Sequence, residues 1–313
     1  WFLIGHGLES TILPLEIAHE HRNYLPSFGL VIIAGWALAH SVEHSGWQKT
    51  LGITLAIGVM TSFAITTALR AHQFGDELRR TQIEVQHHPN SMRTNNEAAN
   101  AIVTYLAIPN ANSPRYYFAR KHYEMAVELD PTFKPGLLGL IYLNCRVKIA
   151  VEDAWVDELA RRLHEITFAA KDRNILYSIK ETSVSGMQCL TRNQVEHLFT
   201  AAITNTSVTR FTKAILHSWQ ADYLMLAAHD LLAAESELNK SLAIAPNVSS
   251  NWLKWAQLTF LQGRNEDARK VLYRLKGMYL LQSERKTLES LLNCLGTNGS
   301  APCTIYQHKP PQP

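Results

Sequence analysis

The residues best suited to chemistry sit near the start of the 313-residue chain, in GHGLESTILPLEIAHEHRNYLPS. At roughly 100° per residue, Glu9, Glu16 and Glu20 share a narrow arc if the segment is helical, with His6 on its edge. Pro14 makes that arc conditional, because a proline kinks a helix or begins a new one. His19, Glu20, His21 and Arg22 then lead into Tyr24 and Pro26. A guanidinium at a membrane surface can chelate a phosphate in bidentate fashion, with a carboxylate to orient it and a tyrosine at headgroup level. Glu20, Arg22 and Tyr24 therefore read as a site for the phosphate of a lipid donor, a polyprenyl-phosphate or pyrophosphate. Glu9, Glu16, His19 and His21 form the supporting polar cluster. The competing reading is an interfacial Arg22 paired with Glu20. A divalent ion on Glu16, His19 and His21 could neutralise phosphate, but the spacing matches no strong ligand motif, and no metal site is assigned.

Such a site needs a membrane to stand beside, and the next residues supply one. Leu25–Val42 is free of charge except for one His, and Leu51–Leu69 holds no ionisable group. A bilayer core of about 30 Å takes around 20 apolar residues per helix. Two transmembrane helices near 25–42 and 51–69 are expected, with Trp47 and Lys49 in the joining loop as interfacial residues. The alternative is a buried core hairpin of a soluble protein. Trp1–Pro26 carries too many charged groups to face lipid along its length, at about 2.5–3.5 kcal/mol for each one at the bilayer centre. The chain opens on Trp1 with no charged leader or small-residue cleavage site, which reads as a start cut from something longer.

Beyond residue 94 the sequence is a series of helical hairpins. In SSNWLKWAQLTFLQGRNEDARKVLYRL, Trp252, Ala256, Gly263 and Ala268 fall at the fourth, eighth, fifteenth and twentieth places of a tetratricopeptide repeat. Two helices cross closely only where a side chain is small, and the tryptophan fills the gap between units. Ala234, Leu238, Ser241 and Pro246 take the later places of the preceding unit, and Ala119, Tyr123, Ala126 and Pro131 repeat them near the start of the array. The first unit opens with a helix around Asn95–Ala107 and an enlarged turn, IPNANSP. Gly136–Arg146, Asp153–Glu165, Arg173–Ser183 and Asn193–Thr204 read as further, degenerate helices, giving about five units. The expected organisation is a membrane module over 1–72, a linker over 73–93, a repeat solenoid over 94–282, and a terminal helix with a mobile tail over 283–313.

Composition narrows the function classes. The chain is 46% apolar and 18% charged with a net charge of +3, which excludes disorder and lacks the basic stripe of a nucleic-acid binder. Four cysteines cannot build a disulfide-dense scaffold. Cys294 and Cys303 span a turn-rich stretch and could pair in an oxidising compartment, closing a loop worth about 2–3 kcal/mol; otherwise they are free thiols. Cys145 and Cys189 read as core residues. Eight of the 14 histidines lie in the first 88 residues, where a proton or metal relay competes with a solvated, hydrogen-bonded role. The Asn-x-Ser sequons at Asn205, Asn247 and Asn298 suit glycosylation only in a eukaryotic secretory compartment. No nucleophile elbow, Walker loop or dinucleotide fingerprint occurs.

The run ESTILPLEIAHEHRNYLPS, two apolar spans, ALRAHQFGDELRRTQIEVQHHPNSMRTNNEA and the repeats together resemble the C-terminal part of bacterial multi-spanning proteins with repeat tails. These are similar in layout to the GT-C superfamily of membrane glycosyltransferases, including the TMTC O-mannosyltransferases. The shared Glu-Arg-x-x-Tyr-Leu-Pro-Ser element is matched by Glu20, Arg22, Tyr24, Leu25, Pro26 and Ser27, with His21 and Asn23 in between. The resemblance implies a polyprenyl-phosphate sugar donor with Glu20, Arg22 and Tyr24 on the far wall of its site. It also implies a catalytic carboxylate in an upstream external loop, outside this chain, so catalytic residues here are unknown. It implies no cofactor for this part, a divalent metal being a matter for the full-length protein.

Topology gives two answers. Arg70, Arg79 and Arg80 on the repeat side against Lys49 in the loop favour cytoplasmic repeats; the family layout favours a bacterial inner membrane with periplasmic repeats, and is followed here. The expectation is an all-α chain: the end of a glycosyltransferase-like membrane protein whose repeats bind an acceptor or partner protein. The alternative is a non-catalytic, membrane-anchored repeat scaffold for envelope assembly. Its partners are membrane lipid and a protein or peptide in the repeat groove.

Overall fold

The computed structural model describes residues 24–43, 46–187 and 189–296. These residues form 14 helices and no strand, in agreement with the all-α expectation. The chain divides into two compact units, Trp1–Arg80 and Thr81–Pro313.

In the first unit α1 (Tyr24–Glu43) and α2 (Trp47–Phe74) pack side by side. Their approach is set by Gly52, where an added Cβ would lie 2.8 Å from that of Ser41. Small residues at such crossings let helices associate where lipid offers no hydrophobic drive. Among the described residues one helix, α2, is long and apolar enough to cross a membrane, while α1 contributes the shorter apolar stretch Phe28–Ser41. Leu55, Ile57, Met60, Phe63, Ile65 and Leu69 are exposed, and Gly52 is the buried residue of α2. The Ser41 hydroxyl donates to Ala37 O at 2.7 Å and that of Thr66 to Ser62 O at 2.9 Å, satisfying these polar groups within their own helices. Trp47 and Lys49, expected in the loop, occupy the first turn of α2 instead.

Residues 73–93, expected as a linker, carry helix α3 (Glu77–His87). The second unit then runs α4 (Met92–Tyr105), α5 (Pro114–Leu129), α6 (Pro135–Arg146), α7 (Asp153–Glu165), α8 (Ala170–Val184), α9 (Arg192–Thr204), α10 (Arg210–Leu226), α11 (Leu231–Ile244), α12 (Ser249–Leu261), α13 (Asn265–Lys276) and α14 (Gln282–Gly296). The boundaries follow local chemistry. Ser113 accepts from Arg115 N with Pro114 in the first turn of α5. Thr191 and Gln194 cap each other's backbone at the start of α9. Asp230 accepts from Ala233 N at 2.9 Å at the start of α11. Gly263, at φ 78°, makes the left-handed turn between α12 and α13.

Helices pair in sequence order, α4 on α5, α10 on α11 and α12 on α13, and alternate helices α4 and α6, α8 and α10, α10 and α12, and α12 and α14 also touch. The crossings are made by small residues: Ala99, Ala119, Ala126, Ala256 and Ala268 are fully buried. At Gly139 any side chain would collide with the Tyr123 ring. Trp252 packs against the last cluster, with Leu253, Leu272 and Leu291, and its indole N–H donates to Pro246 O at 2.7 Å.

One joint is built differently. Helices α6 and α8 do not pack closely along their backbones, and side chains bridge them instead. Lys134, 2% exposed, donates to Asp172, 0% exposed, at 2.8 Å. The Tyr142 and Thr182 hydroxyls meet at 3.1 Å. At the far end Cys145 and Cys189 form a disulfide with Cα atoms 5.1 Å apart. This corrects the expectation that these two cysteines are separate core residues: each is partly or fully buried, but beside the other. Cys294 is also disulfide-bonded, while its expected partner Cys303 lies outside the described residues. On the other side of the joint Asn205, 2% exposed, donates to Leu163 O and Ile166 O, both at 2.8 Å. That sequon asparagine is therefore a structural group.

Arg162 ties α7 to the turn before α6, donating to Phe133 O at 2.7 Å, and pairs with Glu158 at 2.7 Å. The hydrogen bond from Arg161, then that from Arg162, pull Glu158 down to about 2 against the opposing effect of burial. A folded-state pKa below the unfolded value of about 4.3 adds stability above that value and loses it as pH falls toward the folded one. Wild type should therefore lose more melting temperature than Glu158→Gln between about pH 5 and about pH 2.5; equal losses would contradict the assignment.

Candidate partner-binding face

Glu20 and Arg22, expected at a donor site, and the expected supporting residues Glu9, Glu16, His19 and His21 lie outside the described residues; Tyr24 opens α1. Among the described residues no group of three or more His, Cys, Asp or Glu side chains could hold a metal ion.

The described residues do bring together a different set, on the alternate helices α8, α10 and α12. Tyr177 on α8 is 43% exposed, and its ring lies 5.3 Å from that of Trp219 on α10, tilted by 59°. One turn along α8, Lys180 places its ammonium 4.5 Å from the centre of the Tyr177 ring and pairs with Glu181. From α12, Lys254 reaches across to α10, donating to Ser218 Oγ and Asp222 Oδ2, both at 2.7 Å. Trp255 follows on α12 with the Arg264 guanidinium 5.6 Å from its ring, and Arg264 pairs with Glu235 at 2.8 Å.

The i, i+3 and i, i+4 spacings explain why these groups share a face. Tyr177, Lys180 and Glu181 line one side of α8, as Ser218, Trp219 and Asp222 do on α10. Partial burial, then the hydrogen bond and charge of Glu181 and the charge of Asp222, push the Tyr177 phenol above its ordinary value. It remains a hydrogen-bond donor at neutral pH. Lys180 and Lys254 pair with Glu181 and Asp222, and Lys180 and Asp222 are buried at 7% exposure each, so these charges are largely satisfied within the fold beside a partly exposed aromatic pair. The partly exposed Tyr177 and Trp219 rings offer a surface suited to stacking.

This face was not expected from the sequence: Tyr177 lies in a weakly patterned helix, Trp219 in a helix given no repeat position, and the two become neighbours only when α8 and α10 stack. An aromatic and a charged residue three apart on successive first helices, Tyr177/Lys180 and Trp219/Asp222, was the available signal.

No family model matches the chain, and no curated protein matches its sequence.

Proposed function

We propose that the chain is the membrane-anchored end of a larger protein, with a tetratricopeptide-repeat solenoid that binds a segment of a partner protein outside the inner membrane. The observation that carries this reading is the Tyr177–Trp219 pair set between Lys180/Glu181 and Asp222/Lys254 on alternate helices. Alternate helices of a solenoid line one continuous surface, where a chain segment can run across several units. The registers of Ala119/Tyr123/Ala126, Ala234/Leu238/Ser241 and Trp252/Ala256/Gly263/Ala268 support the repeat assignment, since the alanines and Ser241 are buried and Gly263 makes the turn. Helix α2 supports the anchor, with α1 as its companion span. Disulfides persist in oxidising compartments, so Cys145–Cys189 supports a periplasmic or lumenal array over a cytoplasmic one.

A photo-crosslinking residue at position 177 of the full chain in cells tests this reading. A discrete adduct is expected, lost in Trp219→Ala and absent when the crosslinker stands at position 270 on α13. Identical patterns from both positions, or no adduct, would overturn it.

The exoplasmic disulfide also favours the glycosyltransferase-like reading, because that family meets its acceptor on the same side. In that case the face holds the acceptor protein, while Glu20, Arg22 and Tyr24 line the site of a polyprenyl-phosphate sugar.

A further inference from the structure

The C-terminal ends of α6 and α8 enclose a cavity of about 490 Å³. The Cys145–Cys189 disulfide is part of its wall, and the rest is a mixture of two cations, Arg146 and Lys148, with two exposed apolar side chains. Ile149 is 39% and Met187 49% exposed. Among the described residues no carboxylate lines it. Among the described residues neither the Arg146 nor the Lys148 side chain has a hydrogen-bond or ion-pair partner.

The two helix ends are built alike. At α6, Lys148 N donates to Cys145 O and Ile149 N to Asn144 O; at α8, Gly186 N donates to Ser183 O and Met187 N to Thr182 O. Each motif needs a left-handed residue, for which glycine is the default. The α8 end has Gly186 at φ 93°, whereas the α6 end has Lys148 at φ 57°. A charged side chain thus stands where the backbone alone would favour none. The dipoles account for part of the charge: each helix C-terminus carries about half a negative charge. Two ends against two cations leave roughly one positive charge at the mouth of the cavity.

We infer that this cavity binds a phosphate ester attached to a hydrocarbon chain, the headgroup region of an anionic phospholipid. Arg146 and Lys148 take the phosphate oxygens, Arg146 in bidentate fashion. Ile149, Met187 and the disulfide take the first methylenes. The disulfide fixes the two walls, so the site is formed before the ligand arrives. The chain's own α2 keeps the array at a membrane, where such headgroups are concentrated. This site is separate from the Tyr177–Trp219 face and does not depend on what that face binds.

Native mass spectrometry of the full chain in detergent reads the site directly, with dioleoylphosphatidylglycerol and dioleoylphosphatidylcholine as probes. Wild type should retain phosphatidylglycerol over phosphatidylcholine, and Arg146→Gln/Lys148→Gln should lose about tenfold of that preference, equivalent to about 1.4 kcal/mol. Lys148→Gly should weaken the preference while leaving melting temperature equal or higher, because it relieves the left-handed lysine; this separates binding from folding. An unchanged preference in both variants would overturn the site. So would displacement of the lipid by equimolar inorganic phosphate, since the hydrocarbon would then contribute nothing.

Discussion

Lys134→Met should lower the free energy of opening around α6 and α8 by about 3–5 kcal/mol, the cost of leaving a buried charge without its partner. Asp172 has no exposed surface, and its Oδ2 accepts both from Lys134 Nζ and from Ala169 N at 2.8 Å. Its other carboxylate oxygen has no partner, so water cannot replace the lost ammonium without opening the joint. A helical chain of this length need not open as one unit. The effect is therefore best read by hydrogen exchange of the full chain in micelles, as lost protection across 135–184. Lys134→Met/Asp172→Asn removes both charges and keeps an acceptor for Ala169 N, and should restore most of the protection. A loss below about 1 kcal/mol in the single variant would mean that the pair is solvated.

Opening the Cys145–Cys189 disulfide should cost nearly as much, and at the same joint. Its sequence separation of 44 residues gives about 4 kcal/mol by loop entropy alone. The joint has little to compensate, because α6 and α8 lack close backbone packing and the remaining bridges are the Tyr142–Thr182 hydrogen bond and the Lys134–Asp172 pair. Cys145→Ser/Cys189→Ser should lower melting temperature and raise exchange in the turn after α8, with little change in α12–α14. A variant as stable as wild type would show that the bond adds nothing to the fold. The same variant widens the lipid cavity and should weaken phosphatidylglycerol retention alongside.

Much of the helical array was readable from single residues. Alanines at fixed spacing, buried in the structure, marked the crossings, and Pro131 and Pro246 marked helix ends, because steric limits at a crossing act locally in sequence. Even the degenerate helices fall within a few residues of expectation: Gly136–Arg146 against Pro135–Arg146, and Asn193–Thr204 against Arg192–Thr204. The disulfide was not readable. Cys145 sits in an apolar helix and Cys189 in the turn after another, and nothing near either residue signals the other. Their meeting depends on two helices being stacked in parallel, which is a tertiary fact. The Tyr177–Trp219 face escaped for the same reason, as its parts lie on different helices and become one surface only when these stack. In the first unit the apolar runs placed α1 and α2 correctly, but hydropathy could not show that Trp47 and Lys49 lie inside the helix.

The proposed function requires helices α4–α14 to lie outside the inner membrane. The most direct measurement places a cysteine at Lys270, whose side chain is 77% exposed on α13, in the full-length protein, and treats intact cells with a membrane-impermeant maleimide. Lys270→Cys should be labelled before the inner membrane is opened. Labelling only after it is opened would put the array in the cytoplasm, where neither an exoplasmic partner nor a persistent Cys145–Cys189 bond has a place.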